Sequence, residues 1–161
     1  MSEISNNSIE IPESSENADY EKHLIFTIMG KLYSFPSRFI GEIALYDSVY
    51  PLPLMPSFVL GVVNRYSIPY ALFDIGLLFY KMPSQRNKIL IFKDEIDKIA
   101  VLIEDVSGII DIQHDEIFKI EKTPDSNDIT DVVSASFKMN DKDVFVLDIH
   151  KIIARAAGET L

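Results

Sequence analysis

Val59-Leu60-Gly61-Val62-Val63-Asn64-Arg65-Tyr66-Ser67-Ile68-Pro69-Tyr70-Ala71-Leu72-Phe73-Asp74 holds two short apolar runs on either side of a polar break. Val59–Val63 and Ile68–Phe73 read as strands, because side chains branched at Cβ pack well on a pleated surface and both runs are too short for a stable helix. Asn64 sits where the chain leaves the first run, and asparagine tolerates the dihedrals a bend requires. Gly61 marks a bulge or a place where another backbone comes close.

The same grammar extends in both directions. Leu24–Ile28 and Leu32–Phe35 flank Met29-Gly30-Lys31, a tight hairpin in which glycine supplies a positive φ. Phe39–Leu45, Lys88–Phe92, Ile99–Ile103, Gly108–Ile112, Val132–Phe137 and Val144–Leu147 read as further strands. Prolines in Pro51-Leu52-Pro53-Leu54-Met55-Pro56 exclude both helix and central strand there. Many short strands at close spacing predict an all-β barrel or sandwich. One segment departs from this: Ile149, Ile152, Ile153 and Ala156 fall at helical spacing, with Asp148 able to cap the first turn and Gly158 to close the last. The C-terminus is therefore expected to be a short helix laid on a barrel.

Residues 1–20 are rich in Ser, Asn and Glu and cannot bury enough surface to offset the entropy of ordering them, so they are expected to form a disordered tail, with a short docking segment as the alternative. The folded part is expected over 21–158. Its two strand-rich halves are expected to meet near 81–87, a linker with proline, serine and asparagine.

With 25 acidic against 15 basic residues, the net charge is −10. Phosphate backbones and anionic lipid surfaces are bound by clustered Lys and Arg, so this balance argues against nucleic-acid and direct membrane partners. No apolar run is long enough for a membrane-spanning helix, and the N-terminus lacks the pattern of a secretory signal. Cysteine is absent, which excludes disulfides and thiolate metal sites and suits a cytoplasmic setting. No nucleophile elbow, phosphate loop, dinucleotide fingerprint or zinc-binding histidine pair occurs. His23, His114 and His150 lie far apart, and acidic pairs such as Asp94-Glu95, Glu104-Asp105 and Asp115-Glu116 fall at turns. No catalytic, cofactor-binding or metal-binding residue is expected, and the chain reads as a non-enzyme.

The wider pattern is more specific. Leu24-Ile25-Phe26-Thr27 opens it, Ile40-Gly41-Glu42-Ile43 follows, Pro56-Ser57-Phe58 leads into Gly61-Val62-Val63-Asn64, and Asp74-Ile75 comes after without a gap. Glu104-Asp105-Val106-Ser107 and Asp148-Ile149-His150-Lys151-Ile152-Ile153 continue in order. From about Tyr20 to Arg155 the chain resembles the CheW family of chemotaxis adaptor proteins. The resemblance implies two five-stranded SH3-like barrels with a groove between them. It also implies a cytoplasmic scaffold, recruited to membrane-associated receptor arrays, that couples chemoreceptor cytoplasmic tips to the regulatory domain of the histidine kinase CheA.

By that resemblance, Ile40 and Glu42 fall at receptor-linked positions of the first barrel, and Gly61, Asn64, Arg65 and Tyr66 in the turn motif. Ile89, Val106 and Ile109 fall at apolar positions similar to the groove side of the second barrel, where burial of a helical tip would supply affinity. Without the resemblance, the four aliphatics read equally well as barrel core, and Glu42 as a solvated rim charge worth under about 1 kcal/mol. The family commonly carries Asn-Leu-Arg-Gly where this chain has Asn64-Arg65-Tyr66-Ser67, and a phenol cannot replace an arginine fork. In an unbroken strand register, Arg65 points to the opposite face. A divergent adaptor is the reading this favours. A small-ligand or sensory barrel that uses the groove as an apolar pocket is the alternative.

Overall fold

The structure, a computed structural model, describes residues 4–11, 19–120 and 129–159. Its strands are β1 (Ile4–Glu10), β2 (Tyr20–Ile28), β3 (Lys31–Pro36), β4 (Ile40–Tyr46), β5 (Val59–Arg65) and β6 (Ile68–Asp74), then helix α1 (Ile75–Tyr80). They continue as β7 (Lys88–Phe92), β8 (Ile99–Ile103), β9 (Asp105–Gln113), β10 (Phe118–Lys119), β11 (Val133–Met139) and β12 (Lys142–Leu147), closing with helix α2 (Ile149–Glu159). One sheet has the order β1-β4-β7-β8-β6-β5 and the other β10-β11-β12-β3-β2-β9. The fold is mostly β, as expected, and each sheet carries a sixth strand beyond the expected five.

Three apolar clusters explain why so many strands are buried on both faces. Alternation sends Ile89 and Ile91 of β7 and Ala100 and Leu102 of β8 into the core of the first sheet. Leu90, Phe92, Val101 and Ile103, on the opposite faces, join Leu24, Phe26 and Phe35 of the second sheet in the largest cluster. Ile25, Ala135, Phe137 and Val146 form the core of the second sheet. Both helices seal the shared cluster. Ile75, Leu78 and Phe79 enter it from α1, and Ile149, Ile152 and Ala156 from α2.

Four expectations need correction. Residues 4–10 are not a tail without structure, since β1 pairs antiparallel with β4. Backbone groups at a sheet edge accept any extended chain, and the polar composition of the segment does not prevent it. Residues 12–18 lie outside the described residues. The expected junction at 81–87 lies inside the first sheet, between α1 and β7. Its turn-forming residues mark a connection, while beyond β2 the chain passes between sheets at Ser37–Phe39 and at Glu104, where no linker composition is needed. The bend expected at Asn64 comes later, because β5 runs on to Arg65 and the turn is Tyr66-Ser67. Asp148 Oδ1 does accept the amides of His150 and Lys151, but α2 continues past Gly158 to Glu159.

Candidate partner-binding surface

Gly61 organises the first barrel's outer surface. Its φ is +141°, and a Cβ built there would lie 2.0 Å from the Tyr50 carbonyl oxygen and 2.8 Å from Pro51 Cα. The missing side chain lets Tyr50 form a two-way backbone bridge with Val62, with both N–H···O distances 2.8 Å. That bridge pins the start of the proline-punctuated loop to β5. Leu54, held at a φ of +60°, then stands 95% exposed, beside the partly exposed Leu52. An apolar side chain presented this way offers surface whose burial by a partner would be favourable.

At the other end of β5 lies the departure from the family pattern. Arg65 is 2% exposed and directs Nε and Nη2 to the two carboxylate oxygens of Glu42 on β4, at 2.8 and 2.7 Å. The Glu42 carboxylate is the chief cause of the upward shift in the Arg65 pKa. This two-pronged pair clamps β4 to β5. Glu42 is accordingly not a solvated rim charge: it is about one-fifth exposed and holds a buried guanidinium. Tyr66 and Ser67 adopt φ of +50° and +65°, the two-residue hairpin turn with both central residues left-handed. The Tyr66 ring lies 4.2 Å from the guanidinium carbon of Arg65 yet stays 67% exposed. An aromatic is thus presented to solvent on an ion-paired base.

The other expected site residues are distributed differently. Ile40 and Ile89 are fully buried, Ile40 in the shared cluster and Ile89 in the first sheet's core. Ile89 belongs to β7 of the first sheet and not to the second barrel, so neither aliphatic has surface to offer a partner; the barrel-core reading holds for both. Val106 and Ile109 lie on β9 of the second sheet, half-buried against the shared cluster. A bulge between the pairs Ile25–Gly108 and Phe26–Val106 puts these two residues, three apart, on the same face. The structure therefore gathers Glu42, Arg65 and Tyr66, keeps Asn64 beside them on β5, and leaves Val106 and Ile109 on the other sheet. Leu52 and Leu54 were missed in the sequence because prolines were read only as breakers. Three prolines bracketing two leucines in six residues were the available signal.

Contacts between the sheets stiffen this arrangement. Lys88 of β7 donates to Asp105 of β9 at 2.7 Å, and lysine beside it pulls the Asp105 carboxyl below its usual range. Glu104 accepts the amide of Met29 at 3.0 Å, and Tyr80 of α1 shares a hydroxyl hydrogen bond with Tyr33 of β3.

A family model for the CheW-like domain matches residues 22–157. The chain belongs to the CheW-like family. The match takes in both sheets and α2 apart from a few end residues, and leaves out β1. Among solved structures, the chain is similar to the scaffolding protein TtCheW from Thermoanaerobacter tengcongensis, with a TM-score of 0.67 and 20% identity. The alignment covers 80% of this chain and 88% of that one, and at this identity the likeness speaks for the fold. No curated protein sequence matches the chain. Among the described residues no helix is long and apolar enough to cross a membrane.

Proposed function

We propose that this CheW-like protein is a non-catalytic chemotaxis adaptor in the cytoplasm that joins chemoreceptor cytoplasmic tips to the regulatory domain of a CheA-type kinase. The observation that supports it most is the domain match across both barrels, together with apolar groups held outward by a rigid base. Tyr66 stands on the Arg65–Glu42 clamp, and Leu54 on the loop pinned over Gly61. A scaffold needs such preorganised surface more than it needs reactive groups, because fixed side chains lose little freedom on binding. The alternative, a small-ligand pocket between the barrels, has less support: packed side chains of the largest apolar cluster occupy that region.

Binding of the purified protein to the kinase regulatory domain and to receptor tip fragments from the same cell tests the proposal. Tyr66→Ala and Leu54→Asp are each expected to weaken one of the two complexes by about tenfold or more, the effect of losing an interface anchor. If Tyr66→Ala and Leu54→Asp leave both affinities unchanged, these groups are not the contact. If neither partner binds the unaltered protein, the adaptor reading falls.

A further inference from the structure

β1 lies outside the residues that carry the domain match. It sits along the edge of β4, antiparallel, with Ser5 opposite Leu45 and Ile9 opposite Ile43. Without it, Glu42 to Tyr46 would present a row of unpaired N–H and C=O groups, a template for any extended chain. Two features make the occupant replaceable. Its register breaks mid-strand, since Ser5 to Ile9 advances four positions while Leu45 to Ile43 retreats only two. Ile9 also stays 66% exposed, so docking buries little of its apolar surface.

We propose that the β4 edge is a strand-docking site and that residues 4–10 occupy it reversibly, in cis within one chain and in trans between two copies. A second copy is the occupant that fits, because it carries the one segment whose register on this edge is established. An exchanged strand makes the same backbone pairs as the resident one, which is why such swaps cost little. Residues 11–19 connect β1 to β2 and span about 30 Å at full extension, enough to reach a neighbour. Cis pairing is intramolecular and independent of concentration, so trans pairing grows when copies are concentrated or held side by side. The inference needs only β1 and β4 and does not rest on the adaptor reading.

The chain contains no cysteine, which makes the test clean. Residues paired across antiparallel strands lie within disulfide reach. Ile9→Cys and Ile43→Cys chains are mixed at ~1 mM under mild oxidation, beside a reference mixture of Ile9→Cys with Ser57→Cys. The expected result is a heterodimer linked between positions 9 and 43, at least about fivefold above the reference and declining on dilution. The chain carrying both Ile9→Cys and Ile43→Cys is expected to close internally when dilute. A heterodimer yield equal to the reference overturns exchange, and failure of internal closure overturns the docking itself. If added partner proteins reduce internal closure while no heterodimer forms, the edge belongs to a partner's strand and exchange between copies is wrong. Ile43 is buried in the shared core, so if Ile43→Cys fails to fold, the Ser5→Cys and Leu45→Cys pair decides.

Discussion

Replacing Arg65 by methionine keeps most of the volume and removes the charge that holds Glu42. An exposed ion pair contributes about 0.2–1 kcal/mol, whereas breaking a buried one costs about 3–5 kcal/mol because a charge is left stranded. Here the guanidinium is 2% exposed and the carboxylate about one-fifth, with two contacts under 3 Å. Water can reach the Glu42 carboxylate, whereas the Arg65 guanidinium is almost fully enclosed. Arg65→Met, which leaves the partly buried Glu42 carboxylate without its guanidinium, should therefore cost about 3 kcal/mol, and Glu42→Gln, which removes a charge from beside the buried guanidinium, should destabilise as well. With both changes the Arg65–Glu42 interaction is already absent, so the double variant should be less destabilised than the sum by about 2 kcal/mol. Urea unfolding of the four proteins near neutral pH measures this, with the denaturant slope checked for constancy. Because the pair is buried, the coupling should persist at high salt. Additivity within about 0.5 kcal/mol would show that the pair does not clamp β4 to β5.

Gly61→Ala should destabilise by about 3 kcal/mol, since a Cβ at +141° meets the Tyr50 and Pro51 backbone, and thermal unfolding will report it. Protection of the Tyr50 and Val62 amides from hydrogen exchange should fall in the same variant, because the clash breaks their bridge. Ser67→Gly should stabilise by about 1 kcal/mol, because serine at a φ of +65° bears a left-handed strain that glycine does not; an unchanged or lower melting temperature contradicts this. The Glu21 pKa is held at about 2, first by the His23 side chain and then by Arg38, working against burial. A depressed carboxylate gives stability that is fully present above its unfolded value of about 4.5 and is lost as pH falls toward 2. The loss should total at most about 3 kcal/mol, and Glu21→Gln should flatten the stability profile in that window.

Every core strand was visible in the sequence because burial repeats at period two or fills a short run completely, and the C-terminal helix because its isoleucines recur at helical spacing. α1 escaped. Its six residues are too few for a period, and its start depends on Asp74 accepting the amides of Leu77 and Ser84, which composition does not reveal. β1 and β10 escaped because an edge strand is selected by a neighbour's free backbone and not by its own side chains. At the candidate surface, Gly61 was legible as a close approach, but the approaching segment is ten residues away in sequence and far from obvious. Ile40 and Ile89 could not be separated from surface aliphatics, since alternation says which residues share a face and not what covers it. The Arg65–Glu42 pair links positions with no local relation in sequence, so each charge was read singly.

β7 and β8 spend one face on their own barrel's core and the other on the cluster shared with the second sheet. Among the described residues the two cores share one apolar cluster, so the two sheets should unfold in a single transition. A load applied to the first sheet should reach the second as displacement of a stiff body, as through a rivet and not a spring.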